Sequence, residues 1–80
     1  MDAEQSKPGL TVLEFQPGQT YQADIGGRSP YKIHIVAIID EGITYCPMIV
    51  YRYYGKLKQR WHYEIQSAYL LIGAIEQAKL

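Results

Sequence analysis

The residues with the clearest capacity for binding lie between Tyr51 and Tyr63. This segment contains four of the eight tyrosines of the chain, its only tryptophan, and five of its ten Lys, Arg and His residues. Cationic side chains can contact phosphates, and aromatic rings can stack on bases or fill pockets of a protein partner. We therefore predict a binding surface that is composed of Lys32, Arg52, Tyr54, Lys58, Arg60 and His62.

A solvated strand face is a simpler explanation of the same pattern. Alternating cations such as Lys58 and Arg60 commonly protect the outer side of a strand against edge-to-edge aggregation. Eight Lys plus Arg residues balance eight Asp plus Glu residues, so the chain has no formal net charge. Because a neutral chain has no global field that attracts nucleic acid, we rank direct nucleic-acid binding behind this explanation.

The chain offers few residues for metal binding or catalysis. His34, His62 and Cys46 are its only His and Cys residues, and a structural zinc site usually needs four such ligands. Cys46 could pair with a histidine as nucleophile and base, but a small buried side chain explains it better. Turn chemistry explains the neighbouring carboxylates Asp40 and Glu41. We predict no metal, no cofactor and no enzymatic activity.

Length and composition indicate one small domain. We expect residues 1–9 to form a flexible lead-in, because they lack periodicity and end in Lys7-Pro8-Gly9, and residues 10–80 to form the domain. A single cysteine excludes an intrachain disulfide. The polar, acidic N-terminus is unlike a signal peptide, and the longest apolar run is far too short to span a bilayer. These features predict a cytoplasmic protein.

The elements that must position the binding residues are short strands followed by one helix. Period-two alternation is clearest over Tyr31–Ile39, where residues 31, 33, 35, 37 and 39 are predicted to share one face. Ser67 is predicted to be the N-cap of a helix with Ala68, Leu71, Ile72 and Ile75 at helical spacing. The other predicted strands are Leu10–Phe15, Gln19–Asp24, Ile43–Tyr54 and Leu57–Ile65, and the predicted turns lie at Asp40–Gly42 and Gly55-Lys56.

The length of the two turns decides which side chains share a face. A three-residue loop at Asp40–Gly42 would place Ile39 opposite Ile43. An odd-length second turn would put Tyr51 and Tyr53 on the face of Trp61, whereas a two-residue turn at Gly55-Lys56 would put them beside Lys58 and Arg60. A shift of one residue in the register of the strands moves every side chain of a strand to the opposite face of the sheet, and the sequence leaves both registers open.

Residues 17–66 resemble a known group of proteins. The features that carry the resemblance are Pro17-Gly18, Tyr21, the alternating strand Tyr31–Val36, and Ile49–Gly55 followed by Trp61. They are similar to small SH3-like β-barrel proteins of bacteria and phages, in which a Val-Val-Tyr-Arg, Tyr-Gly and Trp element follows an alternating strand. Pro47 and the C-terminal helix depart from that pattern. The resemblance implies a fold and no particular activity, since many members have no known function.

Together these observations predict a mainly β protein: a small antiparallel SH3-like barrel or strongly bent sheet of four to five strands, with a C-terminal α-helix. We predict a non-catalytic binding module whose partner is another protein, self-association included. If the isoleucine face is the core, Val36, Ile38, Met48 and Val50 need a cover, which the C-terminal helix, the segment Leu10–Phe15 or another chain could supply. Nucleic-acid binding through residues 51–63 is the alternative. The size of the chain also resembles phage and prophage accessory proteins, which implies a host component as the target. We expect no membrane partner.

Overall fold

The computed structural model describes residues 15–40 and 46–80, and it shows a sheet with one helix packed on it. The elements are β1 (Thr20–Ala23), β2 (Tyr31–Ile39), β3 (Met48–Gly55), β4 (Arg60–Ser67) and α1 (Ala68–Gln77). Neighbouring strands are antiparallel, and the order in the sheet is β1-β2-β3-β4. The predicted mainly β class and C-terminal helix are confirmed. The sheet is not closed, so closure into a barrel is not confirmed.

The first two strands follow the predicted pattern. β2 has the predicted bounds, and β1 lies within the predicted segment Gln19–Asp24. The loop between them contains Gly26, whose φ of 108° favours glycine. The predicted strand Leu10–Phe15 lies outside the described residues except for Phe15, which is buried against Tyr21 with ring centroids 5.6 Å apart.

The predicted hairpin loop at Asp40–Gly42 is wrong. Ile39 pairs with Met48 and not with Ile43, so the connection between β2 and β3 is longer than three residues. Pro47 supplies the physical reason, because a residue without an N–H cannot donate to the ladder and the strand begins after it. Part of the connection, residues 41–45, lies outside the described residues.

A β-bulge interrupts the alternation of β2. Ile35 pairs with Tyr51 but Ala37 pairs with Val50, which leaves Val36 as the extra residue. Beyond the bulge the faces exchange, so that Ile38 packs against the core and Ala37 and Ile39 turn to the other side. The predicted single face of residues 31, 33, 35, 37 and 39 is therefore correct only as far as Ile35.

The second hairpin has a four-residue turn over residues 56–59. Gly55 pairs with Arg60, and Gln59 adopts a φ of 54° in the left-handed region. The predicted turn at Gly55-Lys56 and the predicted start of the last strand at Leu57 are wrong, because Gly55 still belongs to β3. The turn length is even, so Tyr51 lies opposite Glu64 and Tyr53 opposite His62.

Three polar contacts fix the start of α1. The Ser67 hydroxyl accepts a hydrogen bond from the Leu70 N–H at 3.2 Å, which confirms the predicted N-cap. The Ala68 N–H donates to the Pro47 carbonyl at 2.9 Å. The Tyr69 N–H donates to Cys46 Sγ at 3.2 Å. The helix is therefore anchored to the segment that leads into β3.

The core lies between α1 and one face of the sheet. The sheet contributes Ala23, Ile33, Ile35, Ile49 and Tyr51, and the helix contributes Ala68, Leu71 and Ile75, all of them buried. Ile33, Ile49 and Leu71 are the largest side chains with no appreciable exposure. Truncating a residue of this kind to alanine typically costs about 2–5 kcal/mol. Within the described residues, α1 packs on this face of the sheet and leaves the opposite face uncovered.

Candidate functional site: the open face of the sheet

The face of the sheet turned away from α1 carries large exposed side chains. Alternation along each strand places on it Lys32 and His34 of β2, Met48, Val50, Arg52 and Tyr54 of β3, and Trp61, Tyr63 and Ile65 of β4. We call this surface the open face. Trp61 is 44% exposed, Tyr63 58% and Ile65 52%. Because exposed aromatic and aliphatic residues are grouped on this side of a small domain, the open face is the candidate interaction site.

Trp61 is the centre of an aromatic and cationic cluster on the open face. The Arg52 guanidinium carbon lies 4.7 Å from the centroid of the Trp61 ring. The rings of His34 and Tyr54 approach Trp61 edge-on, with centroids 5.3 Å and 5.6 Å away. Arg52 Nη1 also donates a hydrogen bond to the Tyr63 hydroxyl at 3.3 Å. These contacts hold Arg52 and the rings in place before any partner arrives.

A groove extends from this cluster toward the start of β2. Its volume is about 380 Å³, and its lining includes Lys32, His34, Tyr54 and Lys56. The remaining lining residues are neutral: Gln22, Ser29, Pro30 and Tyr31. Among the described residues, the lining of the groove holds the cations Lys32 and Lys56 and no carboxylate, so this part of the groove suits a negatively charged group.

The other end of the open face is aliphatic. Ile39 pairs with Met48 across β2 and β3, and Val50 pairs with Ile65 across β3 and β4. Ile39 is 41% exposed and Met48 37%. The open face therefore grades from a cationic groove through an aromatic cluster to an aliphatic strip.

The structure divides the predicted binding surface between three places. Lys32, Arg52 and Tyr54 lie on the open face. Lys58 lies in the turn between β3 and β4, and Arg60 and His62 alternate onto the side of the sheet that faces α1. Lys58 and Arg60 are both exposed, and neither lies on the open face.

Three residues of the aromatic and cationic cluster on the open face are missing from the predicted binding surface: Trp61, Tyr63 and His34. For Trp61 and Tyr63, the relevant sequence signal is whether the turn between β3 and β4 has an odd or an even number of residues. An even-length turn, one of the two registers that the sequence leaves open, places Trp61 and Tyr63 on the same face as Arg52.

His62 packs flat on the α1 side of the sheet. Its ring stacks on that of Tyr53 with centroids 5.3 Å apart and an angle of 21° between the planes. The same ring lies over Gly55, where an added Cβ would come within 2.5 Å of His62 Nε2. The glycine thus creates the space that His62 occupies.

A second cavity lies between α1 and the sheet. Its volume is about 370 Å³, and Tyr51, Tyr53, Glu64 and Asp24 are among the residues that line it. Burial, and then the nearby Glu64 carboxylate, raise the pKa of Tyr51 and of Tyr53 above the usual value for a phenol. Both phenols therefore stay protonated at neutral pH and can donate hydrogen bonds.

The candidate metal and catalytic residues are not brought together. His34 lies on the open face and His62 on the opposite one, and Cys46 Sγ accepts a hydrogen bond from the backbone of α1. In the part of the chain that the structure describes, no three His, Cys, Asp or Glu side chains are grouped so that they could hold a metal ion. The histidine and cysteine positions thus serve packing and capping contacts.

Comparison with known proteins gave no relative for this chain. No protein-family model, no curated protein and no solved structure matches it. Within residues 15–40 and 46–80, no helix combines the length and the apolar character that crossing a membrane requires. The function must therefore be inferred from the open face.

Proposed function

We propose that the protein is a non-catalytic binding module and that its open face binds a partner protein. The observation that carries this proposal is the cluster of Trp61, Tyr54, Tyr63 and half-buried Arg52, whose members contact one another while the three aromatic rings stay exposed. Trp, Tyr and Arg are the residue types that most often dominate the binding energy of protein interfaces. The adjoining aliphatic strip supplies apolar area that a partner can bury.

The cationic groove adds a requirement on the partner's surface. A protein that covers the aromatic cluster and presents an acidic side chain to Lys32 and Lys56 would match both the shape and the charge of the open face. The resemblance in size to phage and prophage accessory proteins supports a host component as that partner. We likewise propose a relationship of the sheet to small SH3-like barrels and a cytoplasmic location.

Affinity capture with matched variants tests the proposal. Wild-type protein, Trp61→Ala and Leu57→Ala would each be used to isolate partners, since Leu57 is 95% exposed in the turn and lies off the open face. We expect a partner that Leu57→Ala retains and Trp61→Ala loses. Titration of the purified partner should then show a negative heat-capacity change, the mark of buried apolar area. Equal retention by both variants would refute the open face as the interface.

Single-stranded nucleic acid is a second candidate, and one observation favours it. The groove next to the aromatic cluster is lined by Lys32, Lys56 and His34, and none of its other lining residues that the structure describes is a carboxylate. Such a groove could follow a phosphate backbone while bases stack on Trp61 or Tyr54, which is the usual arrangement in sheet-based single-strand binders.

Salt dependence separates the two candidates. Fluorescence anisotropy of labelled oligonucleotides would be measured at several salt concentrations with wild-type protein, Lys32→Ala, Lys56→Ala and the control Lys79→Ala. Nucleic-acid binding predicts affinity that falls steeply with salt, with a log–log slope that decreases by about 0.7 for each phosphate contact removed. Lys79 is an exposed cation beyond α1 and should leave the slope unchanged. No binding at low salt would eliminate this candidate.

A further inference from the structure

We propose that a second copy of this chain pairs with β4, edge to edge and antiparallel, with the two-fold axis at His62. This pairing goes beyond the proposed function, because its backbone hydrogen bonds form along the edge of the sheet, whether or not a partner covers the open face. β4 lies at one end of the strand order, so one side of its backbone has no neighbouring strand within the described sheet.

The edge of β4 carries only part of the usual protection against pairing. Natural sheets protect their edges with charged side chains, prolines, bulges and very short strands. The eight residues of β4, Arg60–Ser67, contain no proline, their pairing with β3 continues without a bulge, and their two charges, Arg60 and Glu64, are of opposite sign and can attract those of a second copy. The opposite edge, β1, has four residues, and the Asp24 N–H directly after it is bonded to the Ala74 carbonyl of α1. Within the described residues, β4 is the long edge available for pairing.

Symmetry limits the registers that two β4 strands can adopt. When a two-fold axis perpendicular to the sheet relates the two copies, each residue of β4 must lie opposite a residue that points to the same face of the sheet. The axis must therefore pass between one residue of β4 and the same residue of the second copy. On the α1 side β4 presents Arg60, His62, Glu64 and Gln66, and on the open face it presents Trp61, Tyr63, Ile65 and Ser67. Each candidate axis then fixes all cross-strand pairs.

Only one of these axes places the two oppositely charged residues of β4 against each other. An axis at Glu64 would oppose two carboxylates, and an axis at Trp61 would oppose Arg60 and His62. An axis at Tyr63 would oppose Arg60 and Gln66. With the axis at His62, Arg60 of each copy lies opposite Glu64 of the other, so two pairs of opposite charge form.

The same axis also pairs aromatic residues on the open face. Trp61 of each copy lies opposite Tyr63 of the other, and aromatic cross-strand pairs are among the stabilising ones. Both residues are well exposed in the single chain, at 44% and 58%. Pairing of two four-stranded sheets would give one continuous sheet whose two open faces lie on the same side.

Charge reversal gives the decisive experiment. In a dimer of Arg60→Glu, the substituted glutamate of each copy would oppose Glu64 of the other. In a dimer of Glu64→Arg, Arg60 of each copy would oppose the substituted arginine of the other. A mixture of the two variants restores both attractive pairs in a 1:1 heterodimer. Arg60 and Glu64 are exposed, so both variants are expected to fold, which their urea unfolding would check.

Sedimentation equilibrium would be measured from micromolar to millimolar concentration. We expect a wild-type dimer, a dissociation constant raised about tenfold or more in each single variant, and recovery of the dimer in the mixture. A wild-type chain that stays monomeric at all concentrations would overturn the proposal. So would single variants that dimerise like the wild type. Loss in both variants without recovery on mixing would overturn the register, because recovery requires that residue 60 faces residue 64.

Discussion

Because the His62 ring lies over Gly55, we predict that Gly55→Ala destabilises the protein when residue 62 is histidine and stabilises it when residue 62 is alanine. In Gly55→Ala the new Cβ would lie 2.5 Å from His62 Nε2 and 2.6 Å from His62 Cδ2, well inside van der Waals contact. The nearest backbone atom, the Arg60 carbonyl oxygen, is 3.5 Å away, which is an ordinary contact. The imidazole ring must therefore move, while the strand can stay in place.

The size of the effect follows from three contributions. Moving the ring loses its stacking on Tyr53, about 1 kcal/mol, and forces a strained rotamer that costs about 1 kcal/mol more. Replacing glycine by alanine lowers the entropy of the unfolded chain and returns about 0.7 kcal/mol. Gly55→Ala should thus destabilise the wild type by about 1 kcal/mol. In a His62→Ala background nothing needs to move, and the same change should stabilise the protein by about 0.7 kcal/mol.

Urea unfolding of the wild type, the two single variants and the double variant measures this coupling. We expect an interaction free energy of about 2 kcal/mol, far above the roughly 0.5 kcal/mol within which independent changes add. The slope of unfolding free energy against urea should stay constant across the four proteins, which checks that the change is in stability. If Gly55→Ala costs the same with and without the imidazole, the space above Gly55 is not what His62 needs, and the reasoning is refuted.

Three further predictions concern the helix, the core and the tyrosines. Ser67→Ala removes the acceptor at the start of α1 and should cost about 1 kcal/mol in urea unfolding, whereas Ser67→Asp keeps an acceptor and should cost less. Ile33→Ala should cost about 2–5 kcal/mol because Ile33 has no exposed surface, whereas Leu57→Ala, at 95% exposure, should change stability by less than about 0.5 kcal/mol. The raised pKa of Tyr51 and of Tyr53 means that the folded chain holds these protons more tightly than the unfolded chain. Their contribution is therefore constant below the usual phenol pKa of 10.0 and is lost as pH rises through the folded pKa values. The urea midpoint of unfolding should therefore decrease as the pH rises through this alkaline range. In Tyr51→Phe the midpoint should decrease less steeply with pH. A variant whose midpoint depends on pH as steeply as that of the wild type would contradict the prediction.

The elements with a clean periodic pattern could be predicted from the sequence. Tyr31–Ile39 alternates strongly at its start, and Ser67 combines a capping side chain with apolar residues at helical spacing. The bulge at Val36 could not be predicted, because residues 35–39 are all apolar and the run carries no alternation that could mark where the faces exchange. The helix could be placed since Ala68 and Leu71 follow a recognisable cap.

The candidate site could be predicted only in part, and the turn between β3 and β4 explains why. Gly55 and Lys56 have the composition of a tight turn, yet Gly55 remains in the strand because the His62 ring needs the space that a side chain would fill. Gln59, which has no special turn propensity, takes the left-handed conformation instead. Whether the turn has an odd or an even number of residues decides which face each residue of β4 occupies. The four-residue turn therefore places Trp61 on the same face as Arg52 and Arg60 on the opposite face.

Because the core lies on one side of the sheet, alternate residues of a strand contribute to folding and to the proposed binding. Along β3, Ile49 and Tyr51 are buried, whereas Arg52 and Tyr54 face outward. Substitutions in this strand should thus be tolerated with a period of two: the inward positions set whether the chain folds, whereas the outward positions lie on the face that we propose for binding. If that proposal holds, a lineage could exchange its partner by changing every second residue of β3 and β4 while the free energy of unfolding stays nearly constant.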